Sequence, residues 1–170
     1  MLVGYQANNH PQQVARRGAA AKVDDRAIHP DDFAPLHARF RFTIDAAASA
    51  ENARLPRFWT EQDDALSRSW AGERVWCNPP YSDIRPWVLK AHDEQANGAE
   101  LIVMLLPANR TEQAWWQDEV EPFRDDDGSF TVTFLRGRMR FIQAGRTDVG
   151  PNERPPFGCC LLIWTQSHVQ

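Results

Sequence analysis

Four residues, Asn78-Pro79-Pro80-Tyr81, interrupt an apolar run that begins Val75-Trp76-Cys77. Consecutive prolines neither extend a strand ladder nor enter a helix interior, because each lacks an N–H and fixes its own φ. What remains is a stiff, acceptor-rich turn, with the Asn78 side-chain carbonyl beside proline carbonyls and no ring donor. Tyr81 adds a flat face for stacking. These parts suit a planar group bearing an amine. Two fixed acceptors engage its N–H hydrogens, the ring holds its plane, and the nitrogen lone pair is left to meet an electrophile. Such chemistry is positioning and electrostatic preorganisation, without a covalent intermediate.

The loop needs a strand to end on, and "RVWC" (74–77) reads as that strand. Upstream, "RFRFTID" alternates Phe40, Phe42 and Ile44 on one face, predicting a strand that ends at Asp45. "IHPDDFAPLHARF" predicts a short helix capped by Asp31 or Asp32. "AAASAEN" reads as a helix opener, and "TEQDDALSRSW" as a helix with Thr60 as cap and Asp63 in a capping box. Downstream, "SDIRPWVLKAHDEQANG" has helical period, with Ile84, Val88 and Ala91 on one side and Asn97-Gly98 as its stop. "AELIVMLLPAN" is the continuous apolar run of a strand buried on both faces. "RTEQAWWQDEV" predicts a further helix, and "SFTVTFL" and "GCCLLIW" two closing strands that pair as a C-terminal antiparallel hairpin. Alternating strands and helices imply an α/β fold with a mostly parallel, doubly wound sheet and helices on both faces. Ligands bind such sheets beyond the carboxyl ends of the strands. Asp45, the Asn78–Tyr81 loop and Pro107 all fall on that rim.

The chain of 170 residues, 42% hydrophobic and 25% charged, has the size and balance of a single globular domain. Residues 1 to about 25, rich in Asn, Gln, Ala and Arg, read as a poorly ordered arm, leaving residues 26–170 as the domain. No apolar run reaches the roughly 20 residues that span a bilayer, and no signal-peptide core is present, so a cytoplasmic location is expected. Cys77, Cys159 and Cys160 lack C-x-x-C spacing and are odd in number; they read as buried thiols, and the scattered histidines give no metal spacing. Trp87, Trp115 and Trp116 read as core. Lys22 and Lys90 are the only lysines, so positive charge is almost all guanidinium, suited to bidentate phosphate contact. It concentrates in a basic loop at about 136–157, where Arg136, Arg138 and Arg140 alternate.

These features together resemble the amino-group methyltransferases that use S-adenosylmethionine, and more narrowly the small phage and prophage DNA adenine methyltransferases of the Dam type. The resemblance runs from about Ile28 to Trp164 through "FTIDAAAS", "TEQDDALSRSWAG", "VWCNPPYSDIRPWVLKA", "LIVMLLPANRTEQAWW" and "FLRGRMRF". It implies a single Rossmann-like methyltransferase domain acting on the N6 amine of adenine in double-stranded DNA. By this resemblance Asn78 and the Pro79 carbonyl hold the target amine, Pro80 stiffens the turn and Tyr81 stacks on the flipped base. Asp45, Ala46 and Ala47 face the methionine part of the cofactor, Asp64 accepts from its adenine amino group, and Arg136, Arg138 and Arg140 meet DNA phosphates. The chain departs from the pattern in two places. "DAAAS" stands where a G-x-G loop is common, and "AIHP" stands where a Trp-x-Thr-Pro is expected. No separate target-recognition domain is present, so sequence reading falls to loops, chiefly 136–157, or to a second subunit. Methylation of cytosine N4, methylation of protein glutamine, and a cofactor-free DNA-binding relic are the competing readings.

Overall fold

The computed structural model describes residues 26–143, 146 and 154–166. The expected arm at 1–25 and much of the basic loop after Gln143 lie outside the described residues. In chain order the elements are β1 (Arg26–Ile28), α1 (Pro30–Phe40), β2 (Ile44–Asp45), a 3-10 turn (Ala65–Ser67), β3 (Arg74–Cys77) and α2 (Arg85–Ala96). There follow β4 (Leu101–Pro107), α3 (Ala114–Glu119), β5 (Phe130–Phe134), β6 (Phe141–Gln143) and β7 (Cys159–Thr165).

The main sheet has the order β2-β3-β4-β7-β5. β2 pairs β3, and β3 pairs β4, in parallel; β7 runs antiparallel to both β4 and β5. The sheet is therefore mixed, with β7 reversed between strands that all run one way. Of the expected mostly parallel sheet, the α/β class holds, while two of the four strand pairings are parallel and two antiparallel. The closing strands do pair antiparallel as expected, Phe130 opposite Trp164. β1 and β6 form a separate two-stranded antiparallel ribbon that the sequence reading missed. Three-residue strands carry too little pattern to be seen in isolation.

Strand alternation sends side chains to two cores. On one face Val75, Cys77, Ile102, Met104, Leu162 and Trp164 pack with Val88 and Ala91 of α2 and Trp115 and Trp116 of α3. On the other, Trp76, Val103, Leu105, Leu161 and Ile163 meet Phe33 and Phe40 of α1 and Phe42 beyond it. Trp70, Trp76, Trp116 and Trp164 are fully buried. Each tryptophan of about 200 Å² contributes on the order of 5 kcal/mol of gross transfer free energy. β4 is buried at every position, as its unbroken apolar run requires. All three cysteines are buried and unpaired in β3 and β7, and burial raises their thiol pKa values, to about 12 for Cys159 and Cys160.

Four local expectations fail. Phe40 ends α1 instead of opening a strand, because Arg41 takes a left-handed conformation (φ 52°) and donates its N–H to the His37 carbonyl. Phe42 and Ile44 then reach opposite cores, leaving only Ile44–Asp45 as strand. No helix forms in "AAASAEN". The Thr60–Asp63 box does close, Thr60 N–H to Asp63 Oδ2 at 2.9 Å, but Asp64 at φ 51° breaks the helix and only the Ala65–Ser67 turn follows. The cap of α1 is His29, whose Nδ1 accepts from Asp31 N–H, and this leaves Asp32 free for another partner. α2 stops at Asn97-Gly98 as predicted, with Gly98 at φ 100°.

Candidate active site

Asp45 closes β2 and is 3% exposed. A parallel bridge to Phe58 continues the sheet there, and the Trp59 N–H donates to the Asp45 carbonyl at 2.9 Å. The Asp45 carboxylate folds the following loop back on itself, accepting from Arg54 N–H at 3.0 Å and from Ala47 N–H at 3.4 Å. Burial pushes its pKa up to about 6, against the opposing pull of those two N–H groups and the Arg54 charge. Ser49 sits in this loop, its backbone N–H bonded to Asn52 Oδ1 at 2.7 Å. The buried Ser49 hydroxyl has no partner among the described residues.

One strand over, β3 ends at Cys77 and delivers Asn78 to the same rim. Asp45 lies opposite Trp76 in the parallel register, and Ala46 N–H donates to the Trp76 carbonyl at 2.9 Å. Asn78 and Asp45 thus line one shallow cleft, together with Ala47, Asn52 and Arg54. β1 forms its other wall. The Arg26 carbonyl accepts from Asn78 Nδ2 at 3.1 Å, and the Ile28 carbonyl from Arg54 Nε at 2.6 Å. Residues two apart on a strand present their carbonyls to the same side, so β1 pairs with β6 along one edge and braces the cleft with the other.

Tyr81 is more than a flat ring. Its hydroxyl lies 3.0 Å from Asn78 Oδ1 and 3.0 Å from the Leu105 carbonyl, one proton facing two acceptors. Its ring meets Phe141 and Phe157 edge-on at 6.2 and 6.4 Å between centroids, and Arg110 lies over it while donating to the Tyr81 carbonyl. Burial holds the phenol pKa well above its usual value, so the hydroxyl stays protonated and donates. The Asn78 amide is consequently fixed at both ends, oxygen toward Tyr81 and nitrogen toward Arg26. Pro79 is buried, and the Pro80 carbonyl accepts from Asp83 N–H to close the turn.

The structure brings Asn78, Asp45 and Ala47 into one cleft, with Tyr81 bonded to Asn78 from outside its lining; Ala46 is 1% exposed. Asp64 stands apart, exposed on the 3-10 turn and outside the cleft lining. Arg136 and Arg138 are exposed beyond β5, whereas Arg140 is ion-paired to Asp32 at 2.6 Å. These arginines do not alternate along a strand, since residues 135–140 lie between β5 and β6. Arg54, Asn52 and the β1 wall were missed in the sequence. Nothing in "ENARLP" marks Arg54, because its place comes from the loop closing on Asp45.

The buried Asp45 carboxylate and the half-buried Arg54 guanidinium thus share one cleft wall, an arrangement suited to a ligand carrying both charges. The sequence model of the DNA N-6-adenine-methyltransferase (Dam) family matches residues 21–168, and the chain belongs to that family. Two curated relatives carry the name DNA N-6-adenine-methyltransferase. That of Escherichia phage T1 is 37% identical over 128 residues, covering 66% of this chain and 52% of that protein. That of Haemophilus phage HP1 (strain HP1c1) is 32% identical over 74 residues, covering 44% of this chain and 43% of that protein. The matches span about half the length of these relatives. Among the described residues, no helix is long and apolar enough to cross a membrane.

Proposed function

We propose that this chain methylates the N6 amine of adenine in double-stranded DNA, with S-adenosylmethionine as the donor and residues 26–170 as a Rossmann-like methyltransferase domain. The observation that carries the reading is the Asn78 amide, oriented from both ends and set in one cleft with Asp45. Asn78 Oδ1 and the Pro79 carbonyl accept the two hydrogens of the target amine, and Pro80 keeps their spacing. That withdraws the nitrogen lone pair from the ring and turns it outward. The Tyr81 ring supports the extruded base, and its hydroxyl keeps the amide in register. The donor supplies an electrophilic methyl group. Asp45, Ala46 and Ala47 bound the place where its amino-acid end sits, and Asp64 is the candidate for its adenine. Exposed Arg136 and Arg138 meet the phosphates.

The test is incorporation of labelled methyl groups into DNA by purified protein, followed by digestion to nucleosides. N6-methyladenine is expected as the labelled product. Label in N4-methylcytosine, or label only in added protein, would replace this reading with another amine substrate.

A further inference from the structure

Arg54 is a cation awaiting an anion. Its guanidinium is half-buried, and burial works against its charge, drawing the pKa down despite the nearby Asp45. It makes no ion pair within 4.0 Å among the described residues. Only Nε is committed, to the Ile28 carbonyl at 2.6 Å, and that bond fixes the plane of the fork. The Nη groups carry four further N–H donors in the geometry that matches a carboxylate bidentately. A half-buried cation with no direct ion-pair partner is costly, and at a cleft wall a ligand can supply that partner.

The neighbour of Arg54 narrows the choice of anion. Asp45 lines the same cleft and is tied to Arg54 through its backbone N–H at 3.0 Å. A phosphate brought to Arg54 would meet the Asp45 charge and be repelled. A zwitterion places its carboxylate on the cation and its ammonium by the anion, and so satisfies both. We infer that Arg54 is the carboxylate receptor for the amino-acid end of the methyl donor, with Asp45 as its ammonium counterpart. This rests on the methyltransferase reading given above and adds to it a residue for which the sequence offers no signal.

The experiment compares two ligands that differ only beyond the sulfur. S-adenosylhomocysteine carries the amino-acid end, and 5′-methylthioadenosine lacks it. Both are titrated by calorimetry into wild-type protein, Arg54→Ala and Arg54→Lys, with thermal melts to confirm folding. Losing a charge-assisted bidentate contact is worth about ten- to hundredfold in affinity. Arg54→Ala is therefore expected to bind S-adenosylhomocysteine about ten- to hundredfold more weakly and 5′-methylthioadenosine within about twofold of wild type. Arg54→Lys should fall between, keeping the charge without the fork, and it carries the comparison should the alanine variant fail to fold. Equal losses for both ligands, or no loss for either, would overturn the assignment of Arg54 alone. Failure of both ligands to bind wild-type protein would overturn the methyltransferase reading, and this inference with it. The salt dependence of DNA binding separates the other anion source. An unchanged log–log slope in Arg54→Ala supports a cofactor role, and a slope flattened by about 0.9 would assign Arg54 to a phosphate instead.

Discussion

The Arg140 guanidinium grips the Asp32 carboxylate, with Nη2 2.6 Å from Oδ1 and Nε 3.1 Å from Oδ2, while the Arg140 backbone N–H donates to Oδ2 at 2.9 Å. His29 N–H reaches the Arg140 carbonyl at 2.8 Å, so the start of α1 and the entry to β6 are stitched together. Arg140 therefore anchors the basic segment that Arg136 and Arg138 share. Asp32→Ala and Arg140→Ala should each destabilise the fold by about 1–3 kcal/mol, with the double variant costing much less than the sum. Urea denaturation of the four proteins measures this coupling. Additive losses would show that the two residues act separately.

Acid should undo the same pair. Burial alone would raise the Asp32 pKa, but the side-chain and backbone bonds from Arg140, with its charge, lower it below 3.8. The folded state thus holds the proton less tightly than the unfolded chain. Its contribution to stability is complete above about 3.8 and is lost as the pH falls through the lowered folded value. Denaturation midpoints below pH 4 should decline less steeply in Asp32→Asn than in wild type.

With Arg140 paired to Asp32, the exposed Arg136 and Arg138 are the residues proposed for DNA contact. Replacing both with alanine should flatten the log–log salt dependence of duplex binding by nearly two units, at about 0.9 per phosphate. S-adenosylhomocysteine affinity should be unmoved. An unchanged slope would place the DNA-binding face elsewhere.

Asp45 titrates in the opposite sense from Asp32. Its pKa is raised to about 6 by burial, so the folded state holds this proton more tightly than the unfolded chain. The stability it contributes is complete below about 3.8 and is lost as the pH rises through about 6. Binding needs the charge that folding disfavours. S-adenosylhomocysteine affinity should rise with pH through about 6 in wild type and stay flat in Asp45→Asn, as read by calorimetry at a series of pH values.

Tyr81→Phe separates the ring from the hydroxyl. The ring that would support a base survives, but the Asn78 amide loses the donor on its oxygen. A neutral hydrogen bond of about 1 kcal/mol predicts roughly a fivefold loss of kcat with little change in KM for DNA. Tyr81→Ala should lose far more, because stacking contributes about 1–3 kcal/mol per base. No change in Tyr81→Phe would reduce the hydroxyl to packing.

The parts of the fold written in long, one-period runs were legible in the sequence. β4, β7 and α2 follow from an unbroken apolar strand, a second one, and a helical stripe with Asn97-Gly98 as its stop. The Asn78–Tyr81 loop was legible because two prolines leave the backbone little choice. What escaped was set by distant partners. Arg41 and Asp64 turn left-handed and end elements that propensity would continue. Arg54 and Asp32 acquire their roles from residues far along the chain, Ile28 and Arg140, which no local spacing reveals. The insertion of β7 between β4 and β5, antiparallel to both, depends on pairing between strands rather than on the pattern within them.

In the reaction proposed for this chain, the Asn78 amide holds the reacting amine. The most direct measurement is single-turnover methyl transfer to duplex DNA by wild-type protein and Asn78→Ala, with N6-methyladenine counted by mass spectrometry. N6-methyladenine is expected from wild type, and at least about a 100-fold slower step in Asn78→Ala, the usual loss on removing one preorganised contact. The variant should still fold and bind S-adenosylhomocysteine, with a melting temperature lowered only by the loss of the amide's bonds to Tyr81 and Arg26. Transfer at near wild-type rate in a folded Asn78→Ala protein would contradict this role of Asn78.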